Sequence, residues 1–299
     1  SAATSVTGNS AIANWTGGTG SYIIEYGATG FTPGTGATAG TGGTVVTASA
    51  GATNISLTGL SSTTAYQYYV RQVCAGPSYS ANSSAIAFTT LCGASAAPTT
   101  VQTFATYTGF APAPTCWSEA TGTFGSVTTA DASWLLKASG FANASAANPG
   151  VGINLYGGSS GTPDNDWIIS NPIDLGATAG LYRVSYKMAV TTFNATGTVS
   201  TLGTHTVKVV VSTDGGATWS NTNVIKTYTG TASYSNTGVT ETIDLTTYSG
   251  IVKIGFLATT IGTSPDIDFH IDDFLVEAIP ACAAPTSLTS SPVGNTTAT

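Results

Sequence analysis

The sequence predicts an all-β protein made of β-sandwiches, and three observations lead to this fold class. Apolar and polar side chains alternate in several runs, which is the pattern of a half-buried strand. Clusters of Gly and Asn separate these runs, as turns separate strands. No segment spaces its apolar residues at three and four positions over a dozen residues, so no helix longer than about two turns is expected.

The clearest strands lie in the second half of the chain. In "LYRVSYKMAV", which begins at Leu181, every second residue from Tyr182 to Val190 is apolar, and the residues between them include Arg183 and Lys187. The runs "HTVKVVVS" at 205–212 and "IVKIGFLA" at 251–258 show the same alternation. Each run therefore predicts a strand with one buried face.

Composition and charge restrict the kinds of partner. The chain has 299 residues, which is enough for two domains that each bury a core. Seven Lys and Arg against 14 Asp and Glu give a net charge of -7, which argues against a nucleic-acid partner. No apolar run approaches the roughly 20 residues of a membrane helix, so no membrane insertion is expected. The hydroxyl-rich, lysine-poor composition indicates an extracellular or cell-surface protein.

The first ninety residues resemble a fibronectin type III domain. Trp15, the strand pattern "YIIEYG" from Tyr22, and "LTGLSSTTAYQYYVRQVC" carry the resemblance. In the last segment Tyr66 follows Leu60 by six residues, which is the spacing of the tyrosine corner that fixes a strand crossover. Residues 1–91 are therefore interpreted as a fibronectin type III sandwich whose aromatic residues form a core.

Residues 92–281 resemble a larger jelly-roll sandwich of the cleaved-adhesin or choice-of-anchor J type, which is related in layout to the MAM domain. "CWSEA" at 116–120, "DNDWIISNPIDL" at 164–175, "ETIDLTTYSG" at 241–250 and "IDFHIDDFLVE" at 267–277 follow one another in the family's order. The resemblance implies a secreted or cell-surface protein of Bacteroidota type, exported by the type IX system. We expect the two sandwiches to join near Thr90 to Ala94.

The end of the chain repeats its beginning. "CAAPTSLT" at 282–289 aligns without gaps on "SAATSVT" at 1–7. Residues 282–299 are therefore interpreted as the first strand of a truncated second fibronectin type III domain. The repeat predicts a long protein in which the two kinds of module alternate, so that other modules of the same protein are partners.

The motif "STDGGATW" at 212–219 has the spacing of the Asp-box found in sialidase propellers. A sialidase also needs an arginine triad, and this chain has two arginines, Arg71 and Arg183. The motif is therefore interpreted as a hairpin turn. Asp214 is expected to accept backbone N–H bonds, Gly215 and Gly216 to supply positive φ, and Trp219 to cover the turn.

The sequence offers no further catalytic arrangement that outweighs a structural interpretation. It has no HExxH motif and no GxSxG elbow between a strand and a helix. His270 with Asp272 or Asp273 and a serine would match a Ser-His-Asp arrangement, but serine is so abundant that the match carries little information. A hydrogen-bonded structural histidine is preferred, and the chain is predicted not to be an enzyme.

Three carboxylates form a candidate calcium site. Asp164 and Asp166 in "PDNDW" are a pair of oxygen ligands of the kind that calcium accepts. Asp273 falls in the core-facing phase of its strand, so it needs a bulge, backbone donors or a cation. Structural calcium in related adhesin modules favours a site formed by all three, held by oxygens alone. The alternative is an Asx-turn at 164–166 and a hydrogen-bonded Asp273.

The four cysteines, with no CxxC pair and only two histidines in the chain, indicate disulfides and an oxidising compartment. Cys74 and Cys92 follow successive strands of the fibronectin type III arrangement, so they lie at opposite ends of it and do not pair. The repeat predicts that a Cys before Ser1 partners Cys74, and that Cys282 pairs in the next domain. Cys92 then pairs with Cys116, which stabilises the segment by roughly 3 kcal/mol.

Three functions fit such a chain. The first is a non-catalytic adhesive or structural module of a long, repetitive surface or filament protein that binds surface glycans or proteins. The second is an accessory carbohydrate-binding region of a secreted hydrolase whose catalytic domain lies elsewhere. The third, an enzyme in its own right, is the least supported. Glycan binding would need exposed aromatic residues, and Trp117 and Trp134 are the tryptophans least clearly assigned to a core, although packing is favoured for both.

Overall fold

The structure is a computed structural model that describes residues 1–75, 78–107, 109, 116–137, 149–157, 162–199, 201–263 and 265–280. Apart from one 3-10 turn at Asn221–Asn223, every regular element in this part is a β-strand. The all-β class predicted from the sequence is confirmed. Among the described residues, none belongs to a helix that could cross a membrane. The second copy of the repeat, at 282–299, lies outside the described residues, as does Cys282.

The first sandwich has two antiparallel sheets. Its strands are β1 (Ser10–Asn14), β2 (Tyr22–Ala28), β3 (Thr44–Ala48), β4 (Asn54–Thr58), β5 (Ala65–Gln72) and β6 (Ile86–Thr89). Strands β1 and β4 form one sheet, and the other has the order β3-β2-β5-β6. Trp15, Ile24, Leu57 and Tyr68 lie in the core between the sheets. The hydroxyl of Tyr66 accepts a hydrogen bond from the amide of Ser61 at 2.9 Å, which fixes the turn before β5 as its spacing predicts.

A buried ion pair fastens a long loop to the outer face of the four-stranded sheet. Glu25 on β2 and Arg71 on β5 are 2.7 Å apart, and neither side chain is exposed. The glycine-rich loop 29–43 folds over them. Its amides at Gly34 and Gly40 donate to the carboxylate, and its carbonyls at Gly36 and Thr38 accept from the guanidinium. The pair therefore has the hydrogen bonds that a buried charge requires.

The chain passes from one sandwich to the other within three residues. The amide of Leu91 donates to the carbonyl of Thr7 in the first sandwich, and the amide of Ser95 donates to that of Pro172 in the second. A disulfide joins Cys92 to Cys116, with the two Cα atoms 5.8 Å apart. The passage is thus anchored on both sides, and Cys74 is exposed and has no disulfide partner in the described part of the chain.

The second sandwich packs a five-stranded sheet against an eight-stranded one. Its strands are β7 (Ser95–Ala96), β8 (Ser118–Thr121), β9 (Thr128–Thr129), β10 (Leu135–Lys137), β11 (Gly150–Leu155), β12 (Asp164–Ile169), β13 (Ile173–Asp174), β14 (Tyr182–Thr192), β15 (Thr206–Ser212), β16 (Val224–Tyr228), β17 (Val239–Asp244), β18 (Ile251–Thr260) and β19 (Ile267–Ala278). The first sheet has the order β10-β11-β19-β14-β17. The second has the order β16-β15-β18-β12-β8-β9, with β13 beside β18 and β7 beside β13. The apolar faces predicted for β14, β15 and β18 all lie in the shared core.

The Asp-box is a turn, as the sequence predicts. Asp214 accepts hydrogen bonds from the amide and the hydroxyl of Thr218 and from the hydroxyl of Ser212, which lower its carboxyl pKa to about 2. Gly215 and Gly216 have φ of 75° and 89°. Trp219 is buried against the outer face of the eight-stranded sheet. These contacts confirm the structural interpretation of the motif.

Candidate functional site

A cleft of about 310 Å³ opens at one end of the second sandwich, where β11, β14 and β18 end and β12 begins. Larger concavities lie at one end of the first sandwich and at the junction, but among their described lining residues Asp174 alone has a charged side chain. The cleft of about 310 Å³ in the second sandwich combines charged, amide and aromatic groups. Its described lining residues are Ser133, Leu135, Lys137, Ile153, Asn154, Tyr156, Asp164, Asp166, Phe193, Asn194 and Thr260.

The rim of the cleft is apolar and exposed to solvent. Leu135, Tyr156 and Phe193 are 56%, 50% and 45% exposed, although each belongs to a type that is usually buried. Tyr156 follows the last residue of β11, and Phe193 follows the last residue of β14. Both therefore project beyond the core, and their clustering around one opening is a feature of binding surfaces.

The floor of the cleft is acidic. On β12, Asp164 and Asp166 share the inward face with Ile168, which belongs to the core, so this face changes from apolar to acidic at the sandwich end. Asp166 is 8% exposed, and within the described part of the chain no hydrogen bond reaches its carboxyl group. Burial, with the charges of Asp164, Glu119 and Asp131, raises the pKa of Asp166 to about 7.

Two buried polar groups support the floor. The carboxyl group of Glu119 accepts hydrogen bonds from the Tyr107 hydroxyl and from the amides of Ala132 and Trp134, which fixes the wall segment around Ser133. Burial raises the pKa of Glu119. Thr260 pairs with Asp164 across β18 and β12, and its hydroxyl is buried without a hydrogen-bond partner in the described residues. The cleft therefore contains the Thr260 hydroxyl and the Asp166 carboxyl group, which have no hydrogen-bond partner among the described residues.

The structure does not bring the three expected calcium ligands together. Asp273 lies on β19 in the five-stranded sheet, at a bulge where its φ is 47°, and its carboxylate is 2.7 Å from the ammonium group of Lys187. The bulge turns Asp273 out of the core-facing phase that its position in the sequence suggests. Among the described residues, no group of three or more His, Cys, Asp or Glu side chains is placed to hold a metal ion. Asp164 and Asp166 remain side by side.

The histidine and tryptophan candidates have structural surroundings. His270 is buried beside the hydroxyl of Thr191, 2.9 Å from Nε2, and burial together with the charge of Lys137 lowers its pKa to about 3. An imidazole with this pKa is a weak general base near neutral pH. Trp117 and Trp134 are 4% and 0% exposed, so both pack in the core, which is the interpretation that the sequence analysis favours.

One further sequence match was missed. Residues 157–161 read GGSSG and satisfy the spacing of the nucleophile elbow. That elbow requires a helix after the serine, whereas the element that follows here is strand β12 from Asp164. Residues 158–161 lie outside the described residues. The match therefore lacks the context that gives the motif its chemistry.

Comparison with known proteins finds weak structural similarity. No family model and no curated protein matches the sequence. The K1 cleaved adhesin domain of Lys-gingipain from Porphyromonas gingivalis W83 is 16% identical, with a TM-score of 0.36, over 57% of this chain and 96% of that domain. The carbohydrate-binding module TmCBM61, solved with β-1,4-galactotriose, is 14% identical, with a TM-score of 0.32, over 57% of this chain and 91% of that one. Values this low do not show what this chain binds.

Proposed function

We propose that this chain is a non-catalytic, extracellular adhesive module of a longer surface protein, and that it binds its partner in the cleft of the second sandwich. The observation that carries the proposal is the exposed apolar rim of Leu135, Tyr156 and Phe193 above an acidic floor. The rim offers burial of apolar surface, and the floor offers charge selectivity. The fibronectin type III and adhesin resemblances, the type IX export that they imply and the disulfide agree with this location and role.

The arrangement of the carboxylates supports a binding role over hydrolysis. Asp164 and Asp166 project from the same face of one strand, two residues apart. Glycoside hydrolysis uses two carboxyl groups that flank the bond from opposite sides. A ligand in the cleft would meet Asp164 and Asp166 on one side, where they can accept hydrogen bonds or hold a cation.

Removing the aromatic rim is expected to abolish most binding. The full chain would be applied to a panel of immobilised extracellular-matrix proteins and, in parallel, to a glycan array. Tyr156→Ala and Phe193→Ala should each weaken capture by roughly 10-fold or more, since exposed aromatic anchors dominate binding energy. Leu181→Ala is the matched control, because Leu181 is also 50% exposed but lies outside the described lining of the cleft. Equal binding by all variants, or no binding to either panel, would contradict the proposal.

A second candidate function is an accessory carbohydrate-binding region of a secreted hydrolase. Two exposed rings, Tyr156 and Phe193, stand beside the amides of Asn154 and Asn194, and sugars present both apolar faces and hydroxyl groups. Rim-dependent signals on the glycan array with no signal on the protein panel would favour this function. The reverse result would favour the adhesive module.

We propose further that calcium is the structural cation of this module, held by Asp164 and Asp166 without Asp273. Two observations support this: the negative charges of Asp164, Glu119 and Asp131 act on the buried Asp166 carboxyl group, and the Thr260 hydroxyl has no hydrogen-bond partner among the described residues. Carboxylate, hydroxyl and water oxygens are the ligands that calcium prefers. Bound calcium would neutralise the floor and favour the ionised form of Asp166.

The pH dependence of stability tests this assignment. The folded-state pKa of Asp166 is about 7, above its usual 3.8, so the folded chain binds the proton more tightly. Without calcium, stability should therefore fall as pH rises from about 4 to about 7, by on the order of 2 kcal/mol after allowance for solvent screening. Asp166→Asn should remove the part of this fall that Asp166 causes, and the remainder belongs to groups such as Asp272, whose pKa burial raises to about 6. Urea unfolding between pH 4.5 and 8 in chelator measures it.

Added calcium completes the experiment. At pH 8 it should restore the stability of the native chain and leave Asp166→Asn unchanged. Asp273→Asn is the control, because the side chain of Asp273 pairs with Lys187, and it should respond to calcium as the native chain does. A calcium response that is lost in Asp273→Asn, or one that persists in Asp166→Asn, would show that the ligand set is wrong.

A further inference from the structure

A lysine, an asparagine and an aspartate meet on the outer face of the five-stranded sheet. The ammonium nitrogen of Lys137 on β10 lies 3.3 Å from Oδ2 of Asp268 and 3.4 Å from Oδ1 of Asn194. The backbone amide of Asn194 donates to the same Asp268 oxygen at 2.9 Å. The Asp268 side chain is fully buried, and that of Lys137 is 11% exposed. The Lys137 amine therefore contacts both the carboxamide of Asn194 and the carboxyl group of Asp268.

The sheet is shaped to let Lys137 cross a strand. Strand β11 separates β10 from β19, and its Gly152 pairs with Leu135 on one side and with His270 on the other. A Cβ atom at Gly152 would lie 3.1 Å from Cγ of Lys137 and 2.9 Å from Nδ1 of His270. Glycine at this position thus leaves the path along which the lysine stem reaches Asp268.

Asp268 lies beside both reacting residues. One of its oxygens accepts hydrogen bonds from the Lys137 ammonium group and from the backbone amide of Asn194. Its other oxygen is buried with no hydrogen-bond partner among the described residues. A buried carboxyl oxygen without a partner is unfavourable in a merely structural ion pair. An acid that carries a proton from an amine to a neighbouring carboxamide needs contact with the amine and little water around it.

We propose that Lys137 and Asn194 condense into an intramolecular amide, with Asp268 as the proton carrier. Asp268 takes a proton from the Lys137 ammonium group, and the neutral amine attacks Cγ of Asn194. Asp268 returns this proton to Nδ2 as the bond from Cγ to Nδ2 breaks, and the departing ammonia takes up the proton that the attacking nitrogen loses. A C–N bond forms, a C–N bond breaks, and the ammonium charge of Lys137 leaves as an ammonium ion. No oxidant or co-reactant is needed, and Asp268 ends as it began.

The cross-link would fasten the five-stranded sheet. Lys137 lies on the edge strand β10, and Asn194 follows β14, so the new bond spans four neighbouring strands in the order β10-β11-β19-β14. Lys137 and Asn194 also line the cleft, through which ammonium can leave. This chemistry is independent of the ligand in the cleft and goes beyond the proposed function.

Mass spectrometry of the purified full chain tests the cross-link. After reduction of the disulfide, the intact mass should be one ammonia lower than the sequence requires. Proteolysis should give a branched peptide that joins the segments containing Lys137 and Asn194. Lys137→Arg keeps the charge without a primary amine, and Asn194→Gly removes the carboxamide but tolerates the φ of 50° at this position. Both variants should show the full mass and no branched peptide.

Thermal unfolding supplies a second measurement. If the amide restrains the unfolded chain as a disulfide does, both variants should melt roughly 10 °C below the native chain. Lys187→Arg, which alters the partner of Asp273, should still cross-link and show the native loss of ammonia. A native chain of full mass would overturn the proposal. So would loss of ammonia without the branched peptide, as cyclisation of an asparagine would give.

Discussion

Replacing Arg71 with Met should destabilise the first sandwich by about 3–5 kcal/mol, because it leaves the Glu25 carboxylate buried without its cation. The loop 29–43 also loses the donors that hold its Gly36 and Thr38 carbonyls. Urea unfolding gives the free energy. Hydrogen exchange read by mass spectrometry should show faster exchange in peptides from the loop and from β5, and unchanged exchange in the second sandwich.

Arg183→Met is the matched control for this prediction. Arg183 pairs with Glu277 at 2.8 Å, but the two side chains are 27% and 33% exposed. Water can solvate the carboxylate that remains, so the loss should be below about 1 kcal/mol. Similar losses for the two substitutions would mean that burial of the Glu25–Arg71 pair does not determine its contribution.

Local patterns predicted the parts of the fold that depend on neighbouring residues. The alternation in "LYRVSYKMAV" identified the buried face of β14, because a strand repeats every two residues whatever lies opposite. The Asp-box turn was predictable for the same reason, since its hydrogen bonds join residues 212 to 218. The Cys92–Cys116 disulfide of the structure is the pair that remained after the strand order excluded Cys74 with Cys92 and the repeat assigned other partners to Cys74 and Cys282.

The parts that were missed depend on contacts between distant residues. Glu25 and Arg71 are 46 positions apart, and each follows a buried apolar residue of its strand, so each sequence context indicates an exposed charge. Burial comes from the loop that covers them. Tyr156 and Phe193 each follow a strand that contributes apolar residues to the core. Their position just past the last strand residue exposes them. For Asp273, the alternation of the strand predicts a side chain that faces the core unless a bulge intervenes, and the structure has that bulge.

The sequence suggested a site of three carboxylates, and the structure separates one of them. Asp164 and Asp166 stay together because they share one strand face, which alternation predicts. Whether Asp273 lies beside them depends on which sheet β19 joins, and alternation along one strand does not predict that. The aromatic rim carried no sequence signal, since Tyr and Phe after a strand pattern are as common in cores as at openings.

Replacing Trp219 with Ala should cost the second sandwich about 3–5 kcal/mol, because a large buried side chain leaves a cavity behind. Trp219 is 3% exposed and lies 5.1 Å from Trp167 between ring centres, on the outer face of the eight-stranded sheet. It is also the last residue of the Asp-box, whose turn is closed by the hydrogen bond from the Thr218 amide to Asp214. Urea unfolding measures the loss. Tyr156→Ala, an exposed aromatic residue, should change stability by less than about 0.5 kcal/mol.

A double-mutant cycle with Gly255 shows whether packing causes that loss. A Cβ atom at Gly255 would lie 2.9 Å from the ring of Trp219 and 3.1 Å from that of Trp167, so Gly255→Ala alone should be destabilising by about 1–3 kcal/mol. Removing the Trp219 ring removes the closer of these contacts. In the Trp219→Ala background, the added methyl group should therefore cost less and fill part of the cavity, giving a coupling energy of about 1 kcal/mol or more. Strictly additive losses would mean that Trp219 stabilises the sandwich through the Asp-box turn and not through its packing over Gly255.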